Sequence, residues 1–267
     1  MFIQIDKYFK WSYIYFSDFT NIIVTTGYGS SGDLSNTEII NINQKCMTRL
    51  PDYPMDLRAA TGMYVDGAII ICGGYTPHNN KCYQLKKGEQ TFKLVHTMEE
   101  KRYHAQSILV HRKMLVLGGY TDNSMTQTCE FINNQILNNT EFNRNIQLPE
   151  PVFSHTIHNI NKRTSILIGG YTTTTSESKK TYFYNHASNK WTSGPKLING
   201  RMSHTAGILF DHDTRAQHIA VVGGWGLDSV ELLLHGKNAW KLGITLKFLH
   251  HLSNLHFVNL SHRPTFA

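Results

Sequence analysis

The sequence predicts an all-β fold assembled from repeated small antiparallel sheets, and three observations carry that prediction. An apolar run closed by two glycines and an aromatic recurs at Ala68–Tyr75, Met114–Tyr120, Ser165–Tyr171 and Ile219–Trp225, with a degenerate copy at Ile22–Tyr28. The second glycines of the copies (Gly27, Gly74, Gly119, Gly170 and Gly224) are 47, 45, 51 and 54 residues apart. A second β-prone run follows each doublet, as in Thr181–Tyr184 after Gly170. Self-similarity at such a period is the signature of stacked supersecondary units.

Each element of the unit has its own justification. The run before the doublet, such as Ile69-Ile70-Ile71-Cys72, is too short for a helix and rich in β-branched residues. Being apolar on both faces, it suits an inner strand buried between neighbouring sheets. The glycines permit positive φ and close backbone approach where that strand leaves its sheet. The second run is found at Asn36–Ile40, Lys81–Leu85, Thr128–Ile132, Lys180–Tyr184 and Ser229–Leu233. Phe92, Trp191 and Trp240 follow eight to ten positions later and are expected to fill gaps between units. In the first unit Cys46 takes the place where Trp is expected, and the third has no clear aromatic there. Segments such as Leu50-Pro51, Leu148-Pro149 and Gly194–Leu197 close several units. Sheets of this kind cannot bury both faces alone and stack radially into a propeller.

Residues 12 to 241 resemble the kelch repeat, and residues 155 to 197 carry its marks most fully, with Gly169-Gly170-Tyr171, Tyr184 and Trp191. The resemblance implies a kelch-type β-propeller of four-stranded antiparallel blades, with five repeats plus a partial one, six-bladed or incomplete. The expected repeats span approximately 12–52, 55–98, 101–149, 152–198 and 201–241, with 242–267 a degenerate closing segment of a single 1–267 domain. No BTB or BACK domain is expected ahead of the first repeat.

Composition narrows the function. The chain has 267 residues, 40% hydrophobic and 17% charged, which is ample for a core and unlike a disordered protein. No apolar run reaches the roughly 18 residues of a membrane helix, and no signal peptide is expected, because Asp6, Lys7, Lys10 and Asp18 interrupt the N-terminal region. A cytoplasmic setting is the expectation, against a secreted domain glycosylated at Asn138 and carrying a Cys72–Cys82 bond; a second sequon stands at Asn259. The formal charge of +7 comes from scattered residues, the densest groups being Lys86-Lys87 and Lys179-Lys180, so nucleic acid is not expected as a partner. Four cysteines are too few for a disulfide scaffold. Cys72 and Cys82 flank a hairpin, where a cross-strand bond is conceivable and buried thiols are the plainer reading.

The aromatics after the glycines, Tyr28, Tyr75, Tyr120, Tyr171 and Trp225, are expected around one mouth of the ring, with Arg58, Arg102 and Arg201 nearby. In the adaptor proteins that the repeat resembles, residues at these places line a pocket for a partner peptide. Tyr and Arg are also favoured at interface hot spots. His104, His155 and His204 are taken as matching positions whose role is packing; no metal, cofactor or catalytic residue is expected. The expected function is a non-catalytic protein-interaction module that binds a protein or peptide. The alternatives are a sugar epimerase or oxidase-like enzyme, a secreted recognition domain, or a fragment of a longer multidomain chain. Oligomeric state is not legible.

Overall fold

A computed structural model of the chain describes residues 13–16, 21–30, 32–41, 43–75, 79–132, 146–211 and 215–245. The Asn138 and Asn259 sequons, most of the 133–147 loop and the histidine-bearing segment after 245 lie outside them. Among the described residues every element is a strand. Five antiparallel sheets follow one another as the blades of a β-propeller.

Blade 1 is a meander of β1 (Tyr13–Phe16), β2 (Asn21–Gly29), β3 (Gly32–Asn41) and β4 (Cys46–Leu50). Blade 2 repeats it with β5 (Thr61–Val65), β6 (Ala68–Cys72), β7 (Lys81–Lys86) and β8 (Lys93–Thr97). Blade 3 has three strands, β9 (Gln106–Val110), β10 (Lys113–Leu117) and β11 (Cys129–Phe131), among the described residues. Two-residue strands, β12 (Val152–Phe153) and β15 (Tyr171–Thr172), flank the first half of blade 4 in sequence. Blade 4 itself is β13 (Thr156–Asn161), β14 (Thr164–Ile168), β16 (Thr181–Asn185) and β17 (Lys190–Ser193). Blade 5 is β18 (Thr205–Phe210), β19 (Gln217–Val222), β20 (Ser229–Leu233) and β21 (Trp240–Thr245). The fifth unit therefore runs four residues past its expected end at 241. The chain divides into two compact units, 1–154 with 172–174, and 155–171 with 175–267.

The pre-doublet strands are buried on both faces as their composition requires: all five residues of β6 are buried, as are Met114–Leu117 and Ser165–Ile168. Their side chains alternate between two cores. Ile69 and Ile71 pack with Ile23, Tyr53, Leu85 and Phe92, whereas Ile70 and Cys72 pack with Met98, Met114 and Val116. In the second unit Ile166, Ile168, Val221, Leu233 and Trp240 form the equivalent core. Strand pairing places Cys72 opposite Cys82, and the two are joined in a disulfide rather than held as free thiols.

Register also corrects the first unit. Tyr184 pairs with Trp191 and Leu233 with Trp240, and the equivalent pair in blade 1 is Ile40 with Met47. The residue in the place of Trp is therefore Met47, largely exposed, and not Cys46.

The doublets bring the backbone close to the next blade. Gly169 sits at φ +59°, and a Cβ there would lie 2.6 Å from the Arg201 carbonyl oxygen and 2.9 Å from His204 Cε1. Gly169→Ala is expected to cost about 2 kcal/mol or more from left-handed strain plus the clash. Chemical denaturation checks it, and a variant as stable as the parent would mean the doublet is not held as described.

Candidate functional site

A hydrogen-bond ladder organises the doublet end of the blades. In blades 1 to 4 the second glycine of the doublet donates its N–H to a carbonyl at the entry to the following blade. The pairs are Gly27 to Leu57, Gly74 to Arg102, Gly119 to Val152 and Gly170 to Arg201, at 2.7–2.9 Å. The next residue, aromatic, donates back to the entry of its own blade: Tyr75 to Arg58, Tyr120 to Tyr103 and Trp225 to Met202. These bonds define the register independently of loop length. Leu57, Arg102, Val152 and Arg201 are equivalent, and Arg58, Tyr103, Phe153 and Met202 are equivalent one residue later.

The three expected arginines thus fall into two classes. Arg102 and Arg201 turn into the blade and are buried. Arg102 donates to the carbonyls of Gly118 and Thr128, to Thr128 Oγ1 and to Glu100. Arg201 does the same with Gly223, Ser229 and Ser229 Oγ, and pairs with Glu231. Each pins the loop that follows a doublet, so neither presents its guanidinium at the surface expected to bind a partner. Burial pulls the Arg102 pKa below the ordinary arginine value, opposed by Glu100 and Glu130.

Arg58 points the other way. Its guanidinium carbon lies 4.9 Å from the Tyr28 ring centroid and 4.5 Å from that of Tyr75, and Nη1 is 3.1 Å from Asp33 Oδ1. A row of rings continues from there. Tyr75 meets Tyr103 edge-on at 5.0 Å, Tyr103 lies 5.4 Å from Tyr120, and Tyr120 meets Phe153 edge-on at 5.6 Å. Tyr28 is 37% exposed, and Arg58, Tyr75, Tyr103, Tyr120 and Phe153 are half-buried. The first unit thus gathers Tyr28, Tyr75, Tyr120 and Arg58 on one surface. In the second unit Trp225 is 55% exposed and Tyr171 is half-buried.

Tyr103, Phe153 and Asp33 join this surface without having stood out in the sequence. Their signal was present: Tyr103 and Phe153 occupy the Arg58 position of the next two units, visible only once the units are aligned on the ladder.

The histidines are likewise out of step. His104 is equivalent to Ala59, Ser154 and Ser203, all with φ of 50–55°. His104 N donates to Ala59 O, and Ser154 N to His104 O. His155 and His204 sit one residue further on, where blades 2 and 3 have Ala60 and Ala105. Burial pushes His104 down to about 4, with Arg58 adding to it. Burial takes His155 and His204 to about 3, and Arg201 lowers His204 further. All three are neutral at physiological pH. Among the described residues no three His, Cys, Asp or Glu side chains are grouped to hold a metal.

No protein-family model matches the chain, and no curated protein matches it.

Proposed function

We propose that the chain is a kelch-type propeller acting as a non-catalytic interaction module, with the Tyr28–Arg58–Tyr75 surface gripping a peptide or loop of a partner protein. The observation that carries this reading is Arg58 held between two tyrosine rings and steered by Asp33. A cation fixed over aromatic faces loses little side-chain entropy on binding, and Tyr and Arg are the side chains that dominate interface energetics. The row through Tyr103, Tyr120 and Phe153 extends the same aromatic surface, which suits an extended peptide better than a compact charged metabolite. The glycine-doublet units, with Tyr184 and Trp191 paired across β16 and β17, support the kelch assignment.

Affinity capture with the parent chain beside Arg58→Ala and Tyr75→Ala variants of intact fold tests the reading. A partner captured by the parent is expected to bind Arg58→Ala at least about tenfold more weakly, as for an interface hot spot. A partner bound equally by parent and both variants would move the interface elsewhere.

A further inference from the structure

The two blade seams whose cores are register-equivalent are not filled alike. In blades 4 and 5 the seam holds Ile166, Phe183, Leu197, Ile219, Leu233 and Trp240, and Trp240 Nε1 donates to Pro195 O. Strand pairing gives the counterparts in blades 1 and 2: Ile23, Ile39, Tyr53, Ile69, Leu85 and Phe92. Phe183 is thus replaced by Ile39 and Trp240 by Phe92, while Tyr53 stands in place of Leu197 and Leu50 in place of Gly194. Tyr53 makes edge contacts with Tyr83 and Phe92 at 5.4 and 5.3 Å.

A cavity of about 330 Å³ opens at this seam, lined by Ile23, Ile39, Leu50, Tyr64, Ile69 and Leu85. Its lining runs from Leu50 and Pro51 to the turns at Gly67 and Lys87-Gly88, at the end of the blades opposite the doublets. Its size is at the lower end of the roughly 300–1,000 Å³ typical of small-molecule sites.

The rim is chemically one-sided. Glu89 is the acidic residue there, and it is already engaged: Oε1 is 2.6 Å from Lys93 Nζ and Oε2 accepts the Lys86 N–H. Lys86 and Lys87 border the same opening and make no ion pair among the described residues. An apolar pit beside two exposed ammonium groups is complementary to a molecule with an apolar body and a single anionic head.

We infer that the seam between blades 1 and 2 is a binding site for a small amphipathic anion, an aryl or short alkyl group bearing one carboxylate or sulfonate. The apolar body occupies the cavity between Ile23, Ile39, Leu50 and Ile69, and the head is held by Lys86 and Lys87. This site is independent of the aromatic surface around Arg58.

Fluorescence titration with anilinonaphthalene sulfonate, and with its uncharged parent phenylnaphthylamine, tests the inference on the full chain. Saturable one-to-one binding of both is expected. Ile39→Phe supplies the side chain that blade 4 uses at this position and is expected to weaken both probes about tenfold or more. Lys86→Ala with Lys87→Ala is expected to weaken the sulfonate about tenfold while leaving the neutral probe within about twofold. These lysines are exposed, so that variant keeps its fold even if the first does not. Non-saturable binding, an undiminished signal in a folded Ile39→Phe variant, or equal losses for both probes in the lysine variant would each overturn it.

Discussion

Arg201→Met is expected to destabilise the chain by about 3–5 kcal/mol, because it strands a buried carboxylate. The Arg201 and Glu231 side chains are both fully buried. Glu231 Oε1 takes Nε and Nη2 of Arg201, while its two oxygens also accept the backbone N–H groups of Ile198 and Asn199. Methionine matches the volume of the arginine stem but leaves the buried Glu231 without its cationic partner. It also frees the Gly223 and Ser229 carbonyls that Arg201 holds.

Arg102→Met provides the internal comparison. It loses the matching carbonyls of Gly118 and Thr128, but its carboxylate partner Glu100 has a side chain 38% exposed and can turn to water. Its cost is therefore expected to be smaller, about 1–3 kcal/mol from the lost hydrogen bonds. Urea unfolding of the two variants beside the parent measures the difference. Equal losses would show that the stranded glutamate contributes nothing and that the loop carbonyls account for the whole effect.

This pair of arginines also shows where the sequence is readable and where it is not. The doublets, the buried strands before them and the all-β architecture are all visible, because period-two pairing and Gly-Gly turns leave local marks that survive divergence. The role of a residue between the marks does not. Arg58, Arg102 and Arg201 precede the first glycine of their unit by 15, 16 and 22 residues, a drift set by hairpin and loop length. Distance from the doublet therefore does not distinguish them. The bonds from Gly74 to Arg102 and from Tyr75 to Arg58 separate them by a single residue. In extended chain one residue is enough to turn a side chain to the other face, from the surface to the interior. The same drift makes His104 look equivalent to His155 and His204, from which it is one residue out of step. Met47 was hidden for a related reason: the place of Trp is fixed by its partner Ile40 across the hairpin, and not by distance from the doublet. The aromatic surface was half legible, because Tyr28, Tyr75 and Tyr120 carry the repeat mark while Asp33, Tyr103 and Phe153 do not.

Acidification is expected to weaken the fold steeply below about pH 6.5, with His104, His155 and His204 as major contributors. Their folded-state values of about 4, 3 and 3 lie well below the ordinary histidine value of 6.5. Once unfolded, each binds a proton near pH 6.5, whereas in the fold each stays neutral until far lower pH. The unfolded state therefore holds more protons throughout that window, and stability falls as pH falls. The slope approaches about 1.4 kcal/mol per pH unit for each histidine. Summed over three, the loss between pH 7 and pH 5 is on the order of 5 kcal/mol, comparable with the whole stability of many domains. It levels off once the folded groups titrate as well. His155 gives the cleanest attribution, because it is fully enclosed and neither ring nitrogen has a hydrogen-bond partner. His155→Leu removes its titration without removing a bond. The variant is expected to keep or gain stability at pH 7 and to lose about one third less than the parent between pH 7 and pH 5. Thermal melts across that range decide it. A loss of the same size in parent and His155→Leu would place the acid sensitivity on other groups.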